Sequence, residues 1–112
     1  MTYNIGDIVL INFPFTNLTH TKIRPALVIT TKRDDIIVLG IFSKIPDSID
    51  DSWYLVEEIA GRFYQTGLKK ASIIKTEKIA VIHNSIVKKK IGTLPEEVFI
   101  TVKEKLRKTL NI

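Results

Sequence analysis

The chain has 112 residues, and its 17 Lys and Arg against 12 Asp and Glu leave a formal net charge of +5. No cysteine is present, which excludes a disulfide framework and a thiolate metal site and gives no argument for an oxidising compartment. The length suits one domain, 1–112, burying roughly two-thirds of the surface its unfolded form exposes. The charge, with a sequence pI near 9.5, favours polyanionic partners, nucleic acid or an acidic protein, over neutral ones.

Ile8 to Phe13 is rich in β-branched and aromatic residues and predicts a first strand. The apolar run to Phe15 is too short, and too broken by Asn12 and Pro14, for a signal or membrane segment, so the cytoplasm is the expected compartment and no membrane partner is expected. A loop rich in Thr, Asn and Lys leads to Arg24-Pro25 and a second strand, Ala26 to Thr31. Arg33-Asp34-Asp35 makes a tight connection to a third, Ile36 to Phe42, so these two form a hairpin. Their near-continuous hydrophobicity implies burial on both faces, by closure of a barrel or by a partner subunit.

Lys44 to Ser52 is a polar loop, followed by a fourth strand at Trp53 to Glu57. Ala71 to Lys75 and Lys78 to His83 complete the sheet around a turn at Thr76-Glu77. Thr93 with Glu96 reads as a capping box, with Pro95 in the first turn, and Val98, Val102, Leu106 and Leu110 recur at helical spacing. Lys103, Arg107 and Lys108 lie on the other side of that terminal helix, where the basic residues near its end suit the dipole. The pattern predicts a mainly β fold, a small barrel with a C-terminal helix.

Arg24 is the strongest candidate for chemistry. Proline restricts the residue before it to extended conformations, so the guanidinium is aimed more tightly than on an ordinary loop. Its fixed donors suit a phosphate and the charge that builds on phosphorane oxygens; the structural alternative is an ion pair with Asp7 or another acid.

Five segments in order carry a resemblance: Gly6-Asp7-Ile8-Val9, Ile23-Arg24-Pro25-Ala26-Leu27, Gly40-Ile41-Phe42-Ser43-Lys44, Thr66-Gly67-Leu68-Lys69-Lys70-Ala71-Ser72, and Ile91-Gly92-Thr93-Leu94. Together they resemble the MazF/PemK family of toxin endoribonucleases across nearly the whole chain. The resemblance implies an SH3-like barrel and an Arg24 that works beside a hydroxyl at the end of the third strand. Phe42 stands at the usual hydroxyl position, and Ser43 offers one a step later, where a regular strand faces the other way.

His20, four residues before Arg24, is a candidate for moving the proton of a ribose 2′-hydroxyl. His83, at the end of an apolar strand, reads as a structural or interface residue. Lys22, Lys44, Lys69 and Lys70 are candidates to track a single-stranded backbone, with Phe15, Phe42 or Trp53 offering stacking faces. Core packing is the expectation for Phe13, Trp53 and Phe99, and exposure for Phe15. Lys88-Lys89-Lys90 reads as a solvated loop rather than a nucleic-acid patch. No metal-ligand spacing is visible.

The resemblance further implies a toxin of a type II toxin–antitoxin system that cleaves single-stranded RNA at short sequences without metal or cofactor. The 2′-hydroxyl would attack the adjacent phosphorus. It also implies a homodimer and a cognate antitoxin with an acidic, largely disordered tail. Phe42 keeps open an inactive homologue that binds RNA or antitoxin, and composition alone allows a stand-alone SH3-like binding module.

Overall fold

The computed structural model describes residues 2–12, 22–59 and 61–112. Among these, six strands run β1 (Asp7–Asn12), β2 (Ile23–Lys32), β3 (Asp35–Phe42), β4 (Trp53–Val56), β5 (Ser72–His83) and β6 (Lys89–Thr93). Helix α1 (Glu96–Leu110) follows, and a 3-10 turn at Phe63–Thr66 joins β4 to β5. The strands form one curled antiparallel sheet in the order β4-β5-β3-β2-β1-β6, a half-barrel with the helix at its C-terminal end.

Alternation along each strand divides the apolar residues between two cores. Ile8, Leu27, Leu39, Ile41 and Ile74 turn to one side and meet Val102 and Leu106 of α1. Val9, Ile11, Ala26, Val28, Val38 and Ile82 turn to the other, where Tyr3 and Val87 join them. Each fully buried Leu, Ile or Val contributes about 1.5–3 kcal/mol. The expected burial of both faces is therefore present within the chain.

The hairpin closes between Lys32 and Asp35, paired across Arg33 and Asp34, and Arg33 takes the left-handed conformation at φ 57°. The expected turn at Thr76-Glu77 is not a reversal. Pairing jumps from Leu39–Ile79 to Gly40–Lys75, so residues 76–78 bulge out of one continuous strand. Polarity there suggested a turn, but Thr76 is fully buried: its hydroxyl donates to Ser52 O at 2.8 Å and lies 2.6 Å from Thr109 Oγ1.

The helix also begins differently. Thr93 ends β6 and its hydroxyl accepts Gln65 Nε2 at 3.0 Å, so no capping box forms and Pro95 occupies the N-cap position. Glu96 and Glu97 in the first turn supply the dipole complement instead. The buried stripe ends a turn early, at Leu106, leaving Leu110 exposed.

Candidate functional site

β2 begins at Ile23, so Arg24 lies just inside the sheet, opposite Ile11 of β1. Pro25 follows it and pairs with Leu10, one residue before the β2–β3 pairing starts at Ala26–Gly40. A proline at that point interrupts no ladder toward β3. Extending the Ala26–Gly40 register by two residues sets Phe42, the end of β3, beside Arg24 on the same face. The Arg24 guanidinium carbon lies 5.2 Å from the centre of the Phe42 ring.

Arg24 also lines a cleft of about 830 Å³ bounded by the starts of β2 and β5, the end of β3, residues 67–70 and β6. Ser43, the first residue past β3, lines the same cleft. Ile41 lines it too and Phe42 does not, so the alternation that separates Phe42 from Ser43 persists at the strand end. Lys69, Lys70, Lys89 and Lys90 complete the charged wall, and no Asp or Glu is among the described lining residues. Such a cleft concentrates anions.

Lys89 and Lys90 correct the expected solvated loop. They belong to β6, whose strand character comes from pairing with β1 rather than from lysine propensity. Lys90 Nζ lies 3.2 Å from the buried carboxylate of Asp7, which also accepts the Asn4 N–H at 2.8 Å. Asp7, one of the acids considered for Arg24, is thus engaged by Lys90.

Lys22 and Lys44 are exposed and stand outside the cleft lining. Phe15 and His20, like Phe13, lie outside the described residues. His83 has a structural role: its Nδ1 accepts the Ser85 N–H at 3.1 Å and starts the 3-10 turn Asn84–Ile86. Phe99 packs partly buried against the helix-side core, as expected.

Trp53 does not enter either core. It pairs with Lys75 across β4 and β5 on the face opposite Ile74, and Lys75 Nζ sits 4.5 Å from its ring and 4.8 Å from Phe42. Lys75 escaped sequence reasoning, although a lysine within Ser72-Ile73-Ile74-Lys75 is a charge set into an apolar strand.

Residues 4–110 match the family described as PemK-like, MazF-like toxin of type II toxin-antitoxin system. The chain belongs to this family. Its fold is that of solved MazF structures. MazF from Deinococcus radiodurans aligns with TM-score 0.72 and 18% identity over 100% of this chain and 99% of that one. Mycobacterium tuberculosis toxin MazF-mt6 aligns with TM-score 0.70 and 16% identity over 95% and 97%. An endoribonuclease from a mycobacterial species, in complex with its cognate antitoxin, aligns with TM-score 0.72 and 9% identity over 99% and 97%. No curated protein matches the chain in sequence. In this MazF-like toxin, then, the resemblance sets a hydroxyl beside the arginine where the structure has Phe42, while Ser43 brings one into the cleft.

Proposed function

We propose that this toxin is an endoribonuclease that cleaves single-stranded RNA without a metal ion, through attack of the ribose 2′-hydroxyl on the adjacent phosphorus. The observation that carries the reading is Arg24, fixed at the start of β2 and lining a cleft with Ser43 and four lysines. The new bond joins O2′ to phosphorus and the bond to the 5′-oxygen breaks. The 2′-proton leaves to a base, the departing 5′-oxygen takes a proton, and the products are a 2′,3′-cyclic phosphate and a 5′-hydroxyl.

Arg24 stabilises the charge on the non-bridging oxygens as the phosphorane forms. Ser43 donates its hydroxyl to the same phosphate. Lys69, Lys70, Lys89 and Lys90 hold the flanking backbone, and His20 is the candidate proton carrier. An acidic antitoxin segment competes for this basic cleft, which suits the structural neighbour solved with its antitoxin. The protein acts as a cytoplasmic homodimer; sedimentation at the mass of one 12.8 kDa chain at micromolar concentration contradicts the dimer.

End mapping of a mixed RNA pool treated with the protein in EDTA tests the reaction. Expected are discrete cuts with 5′-hydroxyl ends, absent with Arg24→Ala. Activity that needs an added divalent metal overturns the metal-free reading. No cleavage under any condition, with retained RNA binding, favours an inactive homologue, the reading supported by Phe42 beside Arg24.

A further inference from the structure

Lys75 is a half-buried cation with an unusual seat. Its ammonium lies 4.8 Å from the centre of Phe42 and 4.5 Å from that of Trp53. Among the described residues no carboxylate comes within ion-pair distance of it. Glu77, two residues along, is committed elsewhere, accepting Trp53 Nε1 at 2.8 Å. Two aromatic faces attract a cation but accept none of its strong hydrogen bonds, so the three N–H donors still call for an anion.

The backbone under Lys75 is fixed. It is the last residue before the 76–78 bulge, and Thr76 is anchored there to Ser52 and Thr109. Phe42 also carries the Arg24 guanidinium at 5.2 Å, so the two cations share one ring and lie within about 10 Å of each other. Arg24 belongs both to the cleft and to this aromatic ladder.

We propose that Lys75 is a second backbone-phosphate ligand, which carries the path of a single RNA strand from the cleft past Arg24 and over Phe42 toward Trp53. The inference rests on single-stranded RNA being the partner proposed above. Phe42 and Trp53 are positioning residues here: they hold the ammonium upright at the strand surface, and Trp53 offers its ring to a base beyond.

The test uses the full-length protein and a labelled RNA oligonucleotide with every 2′-hydroxyl methylated, which binds but cannot be cut. Affinity is measured across a salt series. Each phosphate contact to a single strand contributes about 0.7 to the slope of log K against log salt. Lys75→Gln is expected to reduce the slope by about that amount, Lys75→Arg to restore it, and Lys103→Gln, on the exposed side of α1, to leave it unchanged. Trp53 is the chain's only tryptophan, so its emission is expected to change on binding in the wild type and less in Lys75→Gln.

An unchanged slope in Lys75→Gln overturns the proposal, as does failure of the wild type to bind the oligonucleotide. If the wild type leaves unmodified RNA intact but the slope still depends on Lys75, the ribonuclease reading fails and this one stands. If RNA is cut and the slope ignores Lys75, the reverse holds.

Discussion

Arg24 and Phe42 stand side by side at the ends of neighbouring strands, the guanidinium carbon 5.2 Å from the ring centre. Phenylalanine offers the arginine a face rather than a hydrogen bond, so it orients the cation without engaging its donors. The hydroxyl nearest in sequence to the position that the family resemblance calls for is that of Ser43, which lines the cleft.

This division of roles separates two substitutions. On the proposed mechanism, Arg24→Ala removes the charge facing the phosphorane oxygens and is expected to lower the cleavage rate about 10²–10³-fold. Phe42→Leu removes a contact worth about 0.5–1 kcal/mol at a partly exposed site, and is expected to lower it only about 2–5-fold. Single-turnover cleavage of one defined RNA measures both. Equal losses for the two variants contradict the assignment of Phe42 as an orienting residue.

Gly67 sets one wall of the cleft. It is left-handed at φ 72°, and a Cβ there would lie 2.0 Å from Ile91 O, a backbone atom of β6. From the other side, a Cβ on Gly92 would meet the Thr66 carbonyl carbon at 2.3 Å. Gly67→Ala adds a steric clash to left-handed strain, each costing about 1–3 kcal/mol, and is expected to lose at least about 2 kcal/mol in denaturant unfolding. Because the clash pushes the 67–70 segment off β6, RNA binding is expected to weaken too. A variant as stable as the wild type refutes the close approach.

Much of this was legible in the sequence, and the misses share a cause. β1 to β3 could be read because their β-branched runs and turn residues are local signals. Arg24 could be read because Pro25 follows it. β6 could not: Lys89 and Lys90 have little strand preference, and the strand exists through pairing with β1 and the contact of Gly92 with Thr66. Thr76 looked like a turn residue because the partners that bury it, Ser52 and Thr109, are 24 and 33 residues away. Trp53 was expected in the core on hydrophobicity alone, but alternation along β4 turns Tyr54 and Val56 to the helix-side core and Trp53 to the other face.

Trp53 also reports on pH. Asp50 Oδ1 accepts the Ser52 hydroxyl at 2.6 Å and the Ser52 N–H at 2.9 Å, which hold its carboxyl below the usual value of 3.8. The Asp50 carbonyl accepts the Trp53 N–H at 3.0 Å, so this turn starts β4. A carboxyl depressed in the folded state supports the turn above its unfolded pKa and withdraws that support as pH falls through the lower folded value. Trp53 emission is therefore expected to stay constant from neutral pH into mild acid and then shift with a midpoint below 3.8. A midpoint above 3.8, or an identical transition in Asp50→Asn, contradicts this.

Thr76 ties three distant pieces of chain together: the bulge of β5, the 44–52 loop through Ser52, and the last turn of α1 through Thr109. Valine fits the same space without the hydroxyl, so Thr76→Val leaves the Ser52 carbonyl without that donor in a fully buried setting. The expected cost is about 1–3 kcal/mol, seen as a lower denaturant midpoint with an unchanged m value. Thr76→Ser keeps the oxygen and loses one methyl, so its cost is expected near 1 kcal/mol. Since Lys75 takes its direction from this anchor, Thr76→Val is also expected to shift Trp53 emission while Thr76→Ser does not. If Thr76→Val keeps wild-type stability while Thr76→Ser loses it, the methyl rather than the hydrogen bonds holds the bulge.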